Sequence, residues 1–459
     1  MKLVLLSGGS GKRLWPLSND SRSKQFLKVL TSPDNGPESM VQRVWRQLAA
    51  AGLSKDAYIA TGKAQLDVMQ SQLGYEVPLI VEPERRDTYP AIALAATYLY
   101  SIIGVKLNEV VAILPVDPYV EEHFFDKIKQ LESIVETSGV DLALIGVKPT
   151  YPSEKYGYIV PGTDRAIHRQ TEYVTVSHFI EKPGEDKARE LIERQALWNC
   201  GVFAFKLEYV INHLINHGLP IQYEEMLKQY SRLPKNSFDY AVVEKAFRIA
   251  ALPYDGYWKD LGTWNTLTEE MASRQIGKGI ITDDCANTHL INELDLPVTI
   301  LGMSNTVVAV SPDGILVSQK EASPRIKDAL KHMEQRPMYE ERRWGWYKVL
   351  DYGKLPQGGE VLTKRIHIQA GKNLSYQMHL NRSEVWTIIS GSGEFMLDDN
   401  LIPVKTGDVL HIPVGSKHSM RAGAMEDLEF IEVQQGTELV EEDIVRLATS
   451  WDEIVQLCS

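Results

Sequence analysis

The sequence predicts an α/β protein: a doubly wound, Rossmann-like sheet, then a small β-rich segment, then a C-terminal β-barrel. Three observations lead there. Short β-branched runs alternate with helix-length amphipathic stretches up to residue 270. Beyond it, short strand-like runs crowd together between Gly, Asp and Pro residues. From residue 336 onward, Gly, His, Glu and Pro recur at fixed spacings in a strand-rich background. The corresponding domains are 1–270, 271–335 and 336–459.

In the first domain, the apolar run after Lys2 reads as a buried strand. Residues 57–60, 79–81, 110–114 and 143–147 read as further strands of a mostly parallel sheet. Residues 91–103 read as a helix, with Asp87 and Thr88 near its start, Pro90 in its first turn and Gly104 past its end. Sheets of this kind bind ligands at the carboxyl ends of their strands. In the second domain, strands are expected at 280–284, 289–292, 298–301, 306–310 and 314–317, then a linking helix over 323–335.

Composition narrows the function. A net charge of −12 argues against nucleic acid and against an anionic membrane surface, both of which favour an excess of Lys and Arg. The three cysteines, Cys200, Cys285 and Cys458, are too scattered for a disulfide framework and fit a reducing cytoplasm. The first residues run straight into a strand, leaving no room for a signal peptide, and no apolar run is long enough to span a bilayer.

The most informative stretch follows the first strand: Ser7-Gly8-Gly9-Ser10-Gly11-Lys12-Arg13-Leu14-Trp15-Pro16-Leu17-Ser18, with Lys24-Gln25-Phe26 after it. Glycines at 8, 9 and 11 let the backbone turn tightly and bring its N–H groups against an anion, which Arg13 and Lys24 neutralise. A Walker A loop needs Ser or Thr after its Lys, where this chain has Arg13; a Rossmann fingerprint needs a third glycine where it has Leu14. The run G-G-x-G-x-R-L-x-P-L with a following Lys resembles the sugar-1-phosphate nucleotidyltransferases. Its variant R-L-W-P-L-S with K-Q-F is similar to the mannose-1-phosphate guanylyltransferases. That resemblance implies the nucleotide-diphospho-sugar transferase fold, with GTP, mannose 1-phosphate and Mg²⁺ as partners. It also implies nucleotide contacts from Leu6, Gly8, Gly9, Ser10, Gly11 and Arg13, and catalytic roles for Arg13 and Lys24.

Two carboxylates follow. Asp117, in Leu114-Pro115-Val116-Asp117-Pro118, sits where a strand ends, a plausible place for a magnesium ligand; an Asp before Pro is also a common turn former. Asp260, in Trp258-Lys259-Asp260-Leu261-Gly262-Thr263-Trp264, reads equally as a helix N-cap or turn residue. Both match family motifs, which imply that they hold one Mg²⁺ together. Glu82, with Arg86, Asp87 and Thr88, resembles the family's E-P-x-x-R-N-T segment beside the nucleotide, with Asp87 where Asn is usual. Gly157 and Tyr158, Glu181 and Lys182, and Asn199 fall in segments resembling those that hold the sugar phosphate, and Ser237-Phe238-Asp239-Tyr240-Ala241 matches a further family stretch.

The chemistry implied is in-line nucleotidyl transfer, in which an already ionised sugar phosphate attacks the α-phosphorus and pyrophosphate leaves. No Ser, Cys or His nucleophile is required. Two alternatives stay open: transfer with another sugar 1-phosphate or base, and a non-catalytic sugar-nucleotide-binding regulator.

The C-terminal region carries a second signature. Gly371, Gln377, His379, Glu384 and Gly391 fit G-x5-(H/Q)-x-H-x4-E-x6-G, and Gly407, Pro413, Gly415 and His418 fit G-x5-P-x-G-x2-H, the two cupin motifs. Gln377, His379, Glu384 and His418 form a mixed N/O donor set suited to Zn²⁺ or another divalent transition metal. The segment resembles the isomerase half of bifunctional guanylyltransferase/phosphomannose isomerases. It departs from the pattern H-H-H-R-x-E-H-W, reading His379-Leu380-Asn381-Arg382-Ser383-Glu384-Val385-Trp386, and lacks the usual Y-G-R near the end. Lost histidines imply depleted acid/base groups, so an isomerase and a nonenzymatic sugar-sensing or oligomerising barrel both stay open. A homo-oligomer is expected.

Overall fold

The computed structural model describes the chain except Ser10, Arg169, Gln170, Glu334, Glu441, Glu442 and Ser459. The expectation placed on Ser10 therefore lies outside the described residues.

Nine strands make the first sheet: β1 (Lys2–Ser7), β2 (Ala57–Gly62), β3 (Leu79–Glu82), β4 (Val110–Pro115), β5 (Leu142–Val147), β6 (Tyr158–His168), β7 (Thr171–Ile180), β8 (Leu197–Lys206) and β9 (Ile249–Tyr254). Their order is β3-β2-β1-β4-β8-β5-β9-β7-β6. From β3 to β4 the pairing is parallel throughout, as is β5 with β9. The expected mostly parallel sheet is nevertheless mixed, because β8 runs antiparallel to both β4 and β5, and β6 and β7 form an antiparallel hairpin. The cause lies in the connection. After β5 the chain makes the β6–β7 excursion and re-enters beside the end of β5, pairing Trp198 with Val147. Entering there instead of crossing back reverses the strand, and it leaves Asn199 at the end of the sheet where the parallel strands deliver their carboxyl termini.

Helices α1 (Met40–Ala50), α2 (Leu66–Leu73), α3 (Thr88–Ser101), α4 (Phe124–Thr137) and α5 (Leu207–Asn216) flank this sheet. Alternation in β1 shows the double winding: Val4 joins α3 and α5 in one core, while Leu3 and Leu5 join α1 and α4 in the other. Each such aliphatic side chain contributes about 1.5–3 kcal/mol when fully buried. Asp87 caps α3 by accepting the Thr88 N–H at 2.8 Å, and does so at φ = 75° and ψ = −176°, a region that residues other than glycine seldom enter.

In the second region a four-stranded sheet orders Gln275–Ile276, His289–Asn292, Thr306–Ser311 and Gly314–Gln319, next to the pair Gly279–Ile281 and Val298–Ile300. The strand expected over 280–284 stops at Ile281, where a turn containing Asp283 and Asp284 begins. The expected helix over 323–335 shrinks to one α turn, Ile326–Ala329, after a 3₁₀ stretch. Ile326 and Leu330 reach an apolar cluster, whereas Lys331, His332 and Met333 are exposed and offer no face to bury.

The C-terminal barrel is built from β10 (Tyr339–Arg342), β11 (Gly345–Lys354), β12 (Glu360–Ile368), β13 (Tyr376–His379), β14 (Arg382–Ser390), β15 (Ser392–Leu397), β16 (Asn400–Lys405), β17 (Val409–Ile412), β18 (His418–Ala422), β19 (Leu428–Gly436) and β20 (Ile444–Ala448). Sheets β10-β11-β12-β19-β14-β17 and β16-β15-β18-β13-β20 enclose a core with Trp386, Phe395 and Phe430. Strand β10 also packs on the first domain: Glu341 accepts from Ser71 at 2.7 Å and Gln72 at 3.2 Å, and Arg342 pairs with Asp67 at 3.3 Å. No helix among the described residues is long and apolar enough to cross a membrane.

Candidate active sites in the cleft and the barrel

Two adjoining cavities open at the carboxyl ends of the parallel strands, and Gly9 and Arg13 line both. The first, about 340 Å³, is bordered by Lys24, Asp117, Tyr156, Asn199, Trp258 and Asp260. The second, about 490 Å³, is bordered by Leu6, Gly8, Glu82, Arg86, Asp87 and Thr88, with Lys235 on its rim. Gly11 opens the short 3₁₀ turn that carries Arg13.

At the floor of the first cavity, Lys24 Nζ lies 2.7 Å from Asp117 Oδ2 and 3.0 Å from Asp260 Oδ1. Burial alone would lower the Lys24 pKa, but the two carboxylates overcome that and raise it. Burial likewise opposes ionisation of Asp260; the Lys24 ammonium and Arg13 win, and its pKa is lowered. Asp260 is not a helix cap. It ends a short strand, Trp258–Asp260, paired with Pro118–Val120, and Thr263 takes the cap position two residues beyond Leu261. The two short strands align Asp260 with Pro118, next to Asp117. Gly262 makes room: a Cβ there would stand 2.9 Å from Asp260 Oδ2. Two carboxylates converging beside a phosphate loop are the hard oxygen donors that Mg²⁺ takes, so the residues present fit that ion.

On the other wall, Asn199 Nδ2 donates to Asp239 Oδ1 at 2.7 Å, and Asn199 Oδ1 accepts the Gly201 N–H at 3.1 Å. Burial, reinforced by the Glu181 charge, pushes the Asp239 carboxyl up to about 7. Glu181 pairs with Lys182, whose backbone adopts φ = 47°. Gly157 is required by close approach: a Cβ would stand 2.4 Å from Glu181 Oε2 and 2.5 Å from Phe179 Cζ. Tyr158 departs from expectation. Its ring is fully buried and its hydroxyl is engaged by the Ser153 backbone, so it belongs to the core, and Tyr156 faces the cavity instead. Tyr156 precedes the strand that begins at Tyr158, so its side chain is free of the strand's pleat and turns to the cavity.

In the second cavity Glu82 is buried and accepts the Tyr230 hydroxyl at 2.6 Å; burial raises its pKa. Arg86 donates to Leu233 O at 2.6 Å and Thr88 Oγ1 accepts the Phe238 N–H at 2.8 Å, tying this wall to the segment 233–238. Sequence reasoning missed Lys235, Tyr156 and Asp239 as site residues. Asp239 lay in a stretch already singled out, whereas nothing local marks Lys235.

Inside the barrel, His379, Glu384 and His418 are buried, and one donor atom from each lies within 4.8 Å of the others. His418 Nδ1 faces Ser416 O at 3.0 Å, which fixes the proton there and turns Nε2 inward; Nε2 has no hydrogen-bond partner and sits 3.5 Å from Glu384 Oε2. Glu384 is held by Arg382 at 3.2 Å, Gln434 at 2.9 Å and Trp386 at 3.0 Å. Despite burial, His379, His418 and Arg382 keep its pKa lowered. An oriented carboxylate, a second imidazole and an orphaned inward nitrogen fit a divalent transition metal. Gln377 pairs in register with His418, and its amide oxygen accepts the Ser375 hydroxyl at 2.8 Å.

One expectation about the barrel is corrected. Leu380, Asn381 and Val385, which stand where the isomerase pattern has histidines, are all exposed on the outside. Their identity therefore does not deplete the interior, which keeps Lys364, Arg382 and Glu432 buried near Glu384.

Residues 2–275 match the family described as nucleotidyl transferase, and residues 329–449 match the mannose-6-phosphate isomerase C-terminal family. The chain is 30% identical to the xanthan biosynthesis protein XanB of Xanthomonas campestris, covering 98% of each. It is 29% identical to the alginate biosynthesis protein AlgA of Pseudomonas aeruginosa over 97% of this chain and 95% of that one. It is 28% identical to the mannose-1-phosphate guanylyltransferase RfbM of Salmonella typhimurium over 97% and 96%. A Thermus thermophilus crystal structure described as mannose-1-phosphate geranyltransferase superposes with a TM-score of 0.61 at 27% identity, covering 73% of this chain and 99% of that one. The phosphate loop, the paired carboxylates and the full-length matches agree: the chain is an enzyme of the nucleotidyl transferase family, joined to a C-terminal mannose-6-phosphate isomerase domain.

Proposed function

We propose that the chain makes GDP-mannose and pyrophosphate from GTP and mannose 1-phosphate. The observation that carries this reading is the junction of the two cavities at Arg13, with Lys24, Asp117 and Asp260 directly below it. GTP would lie with its base against the wall of Glu82, Arg86, Asp87 and Thr88 and its phosphates over Gly8, Gly9 and Gly11. Mannose 1-phosphate would occupy the first cavity against Asn199, with Glu181, Lys182 and Gly157 as its further contacts. Asp117 and Asp260 would hold Mg²⁺, which supplies charge neutralisation at the α-phosphate and the leaving pyrophosphate. A phosphate oxygen of the sugar attacks the α-phosphorus; the bond to the β-phosphate oxygen breaks, and that oxygen leaves on pyrophosphate. Arg13 and Lys24 hold both phosphates in line and offset the negative charge that develops, and no proton transfer is required.

Names of relatives support the base and sugar, and pyrophosphate release tests them. With mannose 1-phosphate, GTP should turn over in preference to ATP, CTP and UTP; preference for another pair would keep the chemistry and move the specificity.

A second reading concerns the barrel. The buried His379–Glu384–His418 set, with Lys364, Arg382 and Glu432 beside it, favours a metal-dependent site that binds mannose 6-phosphate and interconverts it with fructose 6-phosphate. Formation of fructose 6-phosphate by the intact chain tests it.

A further inference from the structure

The barrel carries a cavity of about 250 Å³, bordered by Arg336, Glu340, Tyr347, Lys364, Arg382 and Gln434 among others. Three of these are cations, and Glu340 is the one carboxylate on its wall among the described residues. Such a cavity takes an anion that also offers hydroxyls to Gln434 and Tyr347, which is the chemistry of a phosphorylated sugar. Arg382 and Gln434 both donate to Glu384, so the cavity wall is in direct contact with the buried His–Glu–His set.

Glu340 does more than line this space. It lies on β10, is buried, and accepts the Ser21 hydroxyl at 3.2 Å. Ser21 belongs to the loop that carries Lys24. The same loop is held on both sides of Ser21. Asn19 donates to Asp313 at 2.7 Å, and Asp313 also accepts the Met338 N–H at the start of the barrel. Arg22 forms a two-pronged pair with Glu293, at 2.8 and 2.9 Å, and stacks over Tyr339 of β10. Arg336 and Pro337 line this cavity and also a second one, about 360 Å³, behind Lys12, Trp15 and Asn19 of the phosphate loop. Loop and barrel wall are thus joined by direct contacts, so a ligand that displaces Glu340 acts on the segment between Arg13 and Lys24 through Ser21.

We propose that this cavity is an effector site, where a phosphorylated sugar bound at the barrel mouth changes the rate of nucleotidyl transfer in the first domain through Glu340 and Ser21. It rests on the reading of the barrel as a sugar-phosphate site and adds the coupling. By linkage, the part of the effect that is a change in GTP affinity is reciprocal, so GTP in the first domain shifts sugar-phosphate affinity at the barrel by that part's factor.

The test uses the full chain. Initial rates of pyrophosphate release from GTP and mannose 1-phosphate are measured with and without mannose 6-phosphate, and mannose 6-phosphate binding is measured by calorimetry with and without GTP. The expected result is a change of about five-fold in the transfer rate, the lower end of typical coupling between sites, together with a shift in mannose 6-phosphate affinity when GTP is present. Lys364→Met should abolish binding and effect together. Ser21→Ala should keep binding but lose the effect, each variant being compared with its own rate without mannose 6-phosphate. Absence of binding to the parent chain overturns both this proposal and the sugar-phosphate reading of the barrel. Binding with an unchanged transfer rate overturns the coupling alone. An effect that survives in both variants is competition at the mannose 1-phosphate site, and it overturns the coupling too.

Discussion

Replacing Asp260 with Asn separates the chemistry of the cleft from its stability. Lys24 is held by two carboxylates, Asp117 at 2.7 Å and Asp260 at 3.0 Å. The amide keeps the shape of the carboxylate, so its packing against Gly262 survives, but one of the two negative charges facing Lys24 is gone. Lys24 remains paired with Asp117. The stability cost is then that of one charged hydrogen bond, about 1.5–3 kcal/mol, and falls short of the about 3–5 kcal/mol that an orphaned buried charge costs. Transfer suffers more, because the reaction needs both carboxylates for the metal. A rate loss of about 100-fold or more is expected, in line with the removal of one preorganised contact to developing charge. Pyrophosphate release across a magnesium titration, alongside thermal melting, reads both quantities. A variant whose kcat/KM at ordinary magnesium stays within about three-fold of the parent would refute the assignment of Asp260 as a metal-holding residue.

Three further variants have expected outcomes. The Asp239 carboxyl sits at about 7 in the folded chain against an ordinary 3.8, so the native state holds a proton that the unfolded chain has lost between those values. Its contribution to stability therefore falls as pH rises from 3.8 to 7, and Asp239→Asn should flatten that slope in melting experiments; an unchanged slope would show that Asp239 titrates normally. The same variant should lose an inflection near pH 7 in the KM for mannose 1-phosphate, because protonation changes how Asp239 holds Asn199. Gly157→Ala places a methyl 2.4 Å from Glu181 Oε2 and should raise the KM for the sugar phosphate while costing about 1–3 kcal/mol of stability; a normal KM would remove Glu181 from the sugar cavity. His379→Ala should empty the barrel of metal by elemental analysis and leave basal nucleotidyl transfer intact, and retained metal would overturn the His379–Glu384–His418 site.

Features whose chemistry needs fixed letters at short range are legible in the chain before it folds. The glycine-rich turn with Arg13 and Lys24, the cupin spacings around His379, Glu384 and His418, and the β-branched strands of the first sheet are of this kind, because a tight anion-binding turn, a pair of inward donors on one strand and a buried strand each constrain adjacent residues directly. Tertiary structure decided whatever depends on register or on partners far along the chain. Asp260 meets Lys24 across 236 positions, which no local pattern encodes. Tyr156, just before a strand, faces the cavity while Tyr158, its first residue, is buried; Leu380 and Asn381 are exposed because they join two strands, and Val385 because it alternates with buried Glu384. The reversal of β8, which brings Asn199 to the site, followed from where the hairpin excursion returned the chain. The clasp of β10 on the loop holding Lys24 joins three regions that the sequence presents as separate, because ion pairs such as Arg22 with Glu293 form only once each region has folded and the surfaces meet.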